Sequence, residues 1–158
     1  MANVKFLDAL QFLSLVVVGL ALIPAGAHLF ELPNKIGLPP EQYMIVQNIY
    51  RGWALFGIVV MTAPLLAIAH AIAVRASTSA MLLSVAAAVL LVTSLAVFFM
   101  FTYPMNVASS NWTVTPENFE TARRQWEYSH AVNALLTPAA FAALTLSVLA
   151  SRPNLTAA

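Results

Sequence analysis

From Ala80 to Phe101 the chain carries no charged residue at all. That length matches the roughly 20 apolar residues an α-helix needs to cross the hydrocarbon core of a bilayer. Three further runs share its length and character, so membrane spans are expected at about 10–30, 51–73, 80–101 and 131–150. The short Arg75–Ser79 link makes the second and third spans antiparallel neighbours. The predicted fold is all-α: one integral membrane domain, a four-helix bundle in up-down-up-down order. Only 8% of the residues are charged, against about 25% in soluble domains, so lipid is the expected solvent for most of the surface. The first run reads as a retained helix and not as a cleaved signal peptide.

Prolines punctuate these runs. Pro24 and Gly26 interrupt the first span, Pro64 the second and Pro138 the fourth; membrane helices tolerate such breaks where neighbours satisfy the freed backbone groups. Leu32–Pro40, with three prolines and a glycine, reads as a loop, and Pro40 suits the first turn of a helix over Glu41–Asn48. A second polar connection starts at Pro104. Thr115-Pro116-Glu117 resembles a helix start capped by Thr115, leading through Arg123, Trp126 and His130 into the fourth span. Ser151-Arg152-Pro153 ends that span, and the residues beyond are expected to fray.

In such a bundle the polar segments 31–49 and 104–126 fall on one face. With the adjoining span ends they bring His28, Glu31, Tyr50, Arg51, Trp53, Tyr103, Asn106, Trp112, Arg123, Trp126, Glu127 and His130 to one end. Arg123, Trp126 or Glu127, and His130 recur at helical spacing and form one stripe. Ionisable groups in membrane segments are costly and mark functional sites, whereas Trp, Tyr and Arg are also enriched as an interfacial belt. Trp112 and Tyr43 read first as belt residues, while His130 and Arg51 stand between the two readings. His28 is either a hydrogen-bonded interior group or, paired with His130, an acid/base pair or a set of haem or metal ligands. His28, Glu31 and His130 make the one plausible metal-ligand set. His70, near the other end, reads as structural, and Asp8 as a helix-start residue facing water or headgroups.

The net charge of +1 argues against nucleic-acid partners, and the absence of cysteine excludes thiolate chemistry. HExxH, Gly-rich phosphate-loop and serine-hydrolase motifs are missing. Lys5, Arg75 and Arg152 share one side, opposite Lys35, Arg51, Arg123 and Arg124. The plain short loops of the first group favour cytoplasmic termini, in a plasma or inner membrane. Ala86, Ala87 and Ala88 allow close helix contact within the chain or in a homo-oligomer.

Four spans with Pro104-x-Asn106, Trp112, Arg123, Trp126 and His130 in this order, Tyr50-Arg51-Gly52-Trp53 opening span two and His28 closing span one, resemble the DUF1772 or anthrone oxygenase family. The resemblance covers essentially the whole chain. It implies oxidation of anthrones to anthraquinones without a dedicated organic cofactor. In that reading His130 is the general base, and Asn106 with Arg123 or Arg51 stabilises phenolate or peroxide charge. Trp126, Trp53 and Tyr103 pack on the flat rings, with Tyr50 and Trp112 beside them. Three readings follow: an oxygenase-like membrane oxidoreductase, a haem or metal protein ligated by His28 and His130, and a non-enzymatic accessory subunit whose polar end binds a partner or lipid headgroup.

Overall fold

The computed structural model describes residues 2–152, and the expectation of fraying from Pro153 onward lies outside them. Among the described residues there is no strand. Helix α1 covers Ala2–Lys35, α2 Pro40–Gln47, α3 Phe56–Ala73, α4 Thr78–Val97, α5 Tyr103–Ala108 and α6 Phe119–Ala150. Two short 3-10 turns, Asn48–Tyr50 and Trp53–Leu55, join α2 to α3, and a π-helical turn, Phe98–Thr102, joins α4 to α5.

Four helical stretches, Val4–Lys35, Trp53–Ala73, Thr78–Ala108 and Phe119–Ala150, are long and apolar enough to cross a membrane. Their outer faces carry exposed Phe12, Ile23, Ile58, Leu65, Leu82, Val89, Leu135 and Leu146, which suits lipid contact. Inside, Val18, Ala63, Ala67, Ala87, Ala88, Leu91, Ala140 and Leu144 form the core. Most are alanines, which let the helices approach closely. Ala87 and Ala88 are thus used within the chain, while Ala86 stays exposed.

Helix α1 packs against α3 and α6, and α4 against the same two. Side-chain contacts tie the ends together. The start of α1 meets the ends of α3 and α6, where Gln11 reaches His70 at 3.4 Å and Ser151 at 2.9 Å. The end of α1 meets the start of α3 and the first half of α6, where His28 lies against Trp53 and His130.

Three boundaries differ from the sequence reading. Helix α1 does not stop before Pro33 but runs through it to Lys35. Its last turn is held by Lys35, which pairs with Glu31 one turn back and with Glu127 of α6. Pro104 does not begin a loop; helix continues to Ala108. The π turn just before it widens the backbone, which relieves the clash between a proline ring and the carbonyl four residues back. Helix α6 starts at Phe119 with Asn118 at its cap position, later than the expected Thr115 cap. The helix over Pro40–Gln47, by contrast, forms as expected, with Pro40 at its first position.

Candidate functional site

The polar residues of α1, α3, α4–α5 and α6 gather at one end of the bundle around a cavity of about 650 Å³. Its walls include His28, Tyr50, Arg51, Trp53, Tyr103, Asn106, Trp112, Trp126 and His130, and it deepens towards Ala63, Leu91 and Thr137. Most of the lining is carbon, with a few polar groups, as expected of a site for a lipophilic small molecule.

The two histidines are ring neighbours. His28 and His130 have centroids 3.9 Å apart and planes inclined by 32°. Trp126 lies 4.9 Å from His28 and 4.3 Å from His130. Tyr50 and Trp53 complete the ring cluster at 4.6 and 5.8 Å from His28. The Trp126 indole N–H donates to the Asn106 side-chain oxygen at 2.7 Å, fixing the ring that separates the cavity from the polar layer behind it.

That layer is a buried ionic chain. His28 Nδ1 is 2.8 Å from Glu31 Oε1, and Lys35 Nζ is 2.9 Å from the same oxygen and 3.0 Å from Glu127 Oε1. Lys35 is 2% exposed and Glu127 fully buried. Tyr43 donates its hydroxyl to Glu127 Oε1 at 2.8 Å and accepts from Gln47 Nε2 at 2.8 Å. The Lys35 ammonium also lies 4.6 Å from the ring centres of Tyr50 and Trp126, where the π faces add to its stabilisation. Burial, followed by the adjacent Glu127 carboxylate, pushes the Tyr43 phenol far above its ordinary range, so it stays a proton donor.

Several expectations are therefore corrected. Tyr43 and Trp112 are not belt residues: Tyr43 is fully buried, and both pack with Phe119, Ala122 and Trp126 in a second core cluster. Tyr43 on α2 and Trp112 in the turn before α6 face each other, with ring centroids 5.2 Å apart. Trp112 is seated by three successive left-handed residues, Ser110, Asn111 and Trp112 itself, with φ of 49°, 56° and 61°. Arg123 does not line the cavity; it donates to the Leu38 carbonyl and to Glu120 and covers the rings of Tyr43 and Phe119. It fastens the Leu38 segment to α6. Arg51 does reach the cavity and is exposed at its rim, donating to Asn48 Oδ1 at 3.3 Å.

Nor do His28, Glu31 and His130 form a metal centre. Among the described residues no three His, Cys, Asp or Glu side chains are grouped to hold an ion, and Glu31 is committed to His28 and Lys35. A haem iron between two imidazoles sets their centroids about 6 Å apart, from metal–nitrogen bonds of roughly 2 Å. The observed stack, at 3.9 Å, is closer than that spacing.

Lys35 and Gln47 escaped the sequence reading because they join the site only through packing. The signal available for Lys35 was its spacing, four residues after Glu31 and seven after His28, which places all three on one helical face. At the opposite end His70 is structural, as expected, but it is not isolated: Nδ1 bonds Ser84 Oγ at 2.7 Å, and Ser84 bonds Ser147 Oγ at 2.7 Å. No protein-family model matches the chain, and no curated protein or solved structure matches it.

Proposed function

We propose that the protein is a small oxygenase-like membrane oxidoreductase acting on a lipophilic aromatic substrate of anthrone or quinol type. The observation that carries this reading is the stacked His28–His130 pair in the wall of an aromatic-lined cavity at one end of the bundle. In this reading a flat ring system lies in the cavity against Trp53, Trp126 and Tyr50, which share its wall. An imidazole removes a proton from the activated CH₂, the carbanion delocalises over the rings, and dioxygen takes up the electrons. The overall change, CH₂ + O₂ → C=O + H₂O, balances with no further co-reactant. Asn106 and the rim guanidinium of Arg51, which line the same cavity, serve in this reading as donors to the developing oxyanion charge. The resemblance to the anthrone oxygenase family supports the same chemistry. The membrane is a plasma or inner membrane, and the termini lie in its cytoplasmic side, which sets the cavity on the opposite face.

Oxygen uptake by the detergent-purified protein with anthrones and quinols tests the reading. Uptake above the uncatalysed rate that disappears in the double variant His28→Gln/His130→Gln, with the variant still folded by circular dichroism, is the expected result. Equal uptake by that variant and the wild type refutes it.

A further inference from the structure

Resting on that reading of the cavity, we infer that His28, and not His130, is the base, and that Lys35 is its positioning residue. The two imidazoles are neighbours, yet their surroundings differ. His28 Nδ1 faces the Glu31 carboxylate at 2.8 Å. An ionised carboxylate only accepts hydrogen bonds, so Nδ1 carries the hydrogen and Nε2 keeps its lone pair. Glu31 is in turn fixed. The same oxygen accepts from Lys35, whose ammonium reaches across to Glu127 of α6. Glu127 is held by Tyr43, and Tyr43 by Gln47, both from α2.

A chain of buried polar groups from three helices thus sets one tautomer and one ring orientation at His28. His130 has no hydrogen bond among the described residues; its neighbours are the rings of His28 and Trp126. It serves as a ring surface for the substrate.

In the proton-transfer step Nε2 of His28 forms the new N–H bond as the substrate C–H bond breaks. The electron pair stays on the ring carbon and passes to dioxygen. The Nδ1–H keeps its bond to Glu31, whose negative charge stabilises the imidazolium, the role a carboxylate plays behind a catalytic histidine. Lys35 touches neither substrate nor imidazole. It keeps Glu31 in place, and it neutralises charge that the half-buried Glu31 and the buried Glu127 would otherwise bring together.

The test combines kinetics with histidine ¹⁵N NMR in detergent, the signals assigned through His28→Gln, His70→Gln and His130→Gln. The wild type is expected to hold His28 as the Nδ1–H tautomer, and Lys35→Met to convert it to a mixture. His28→Gln is expected to lower kcat with an anthrone at least about 100-fold, the lower end for loss of a general base. His130→Gln raises KM with a smaller effect on kcat, and Lys35→Met lowers kcat with KM retained. Loss of kcat in His130→Gln with His28→Gln within tenfold of wild type overturns the assignment. So does an Nε2–H tautomer at His28 in the wild type. Should the wild type take up no oxygen with any anthrone or quinol, the functional proposal fails, and the tautomer alone decides the placement of the proton.

Discussion

Single residues set this site through hydrogen bonds that are few and buried, so each has a measurable weight. Tyr43→Phe removes the hydroxyl between Gln47 and Glu127 and leaves two buried partners short of a bond. The expected loss is about 1–3 kcal/mol, read as a fall in thermal midpoint. The same residue predicts behaviour at high pH. Its phenol, facing Glu127 and Gln47 and lying beneath Lys35 and Arg123, ionises far less readily folded than unfolded. The stability it confers is complete below its ordinary value of 10.0 and declines as pH rises beyond it, because only the unfolded chain then releases the proton. Alkaline titration of the thermal midpoint should show that decline in the wild type and a shallower one in Tyr43→Phe. Gly52 has φ of 89° with open space around its Cα. Gly52→Ala therefore pays only the left-handed backbone penalty, about 1–2 kcal/mol, and circular dichroism melting would register it. Local reading set His28 and His130 at the same end of the bundle, where they are neighbours, but misjudged Tyr43, Trp112 and Arg123, since burial of a ring or guanidinium depends on which segment folds over it.

Elements were legible where lipid dictates them and obscure where prolines meet tertiary contacts. Uncharged runs announced the membrane helices, and Pro40 announced α2. Pro33 and Pro104 spoke equally strongly for helix ends, yet an ion pair to another helix overrides the first, and a π turn accommodates the second. At the far end a polar chain links all four long helices: Gln11 of α1, His70 of α3, Ser84 of α4 and Ser147 of α6. Its serines carry no mark in the sequence, because only the packing faces them inward. Ser84→Ala cuts the chain at its middle and is expected to cost about 1–2 kcal/mol, near the value of interhelical hydrogen bonds in membranes. The loss should appear in thermal unfolding while the cavity, near the other end, keeps its ligand affinity.

Across the whole molecule the cavity is what the sequence placed but could not shape. Gly57 lies on its wall with nothing within 4 Å of an added Cβ. Gly57→Phe should fill space at the cavity without disturbing the core, raising KM for any lipophilic substrate at least tenfold while the thermal midpoint holds. Between the two polar ends lies a seal. His28 and Gln11 are both on α1, separated by 17 residues, or about 26 Å of helix, close to the thickness of the hydrocarbon layer. Beyond the floor of the cavity the interior is the packed cluster of Val18, Ala67, Ala88 and Leu144. A fold packed this way is expected to insulate: a group at the His28 end meets one compartment only, and proteoliposomes containing the protein should hold an imposed pH gradient as long as empty ones do.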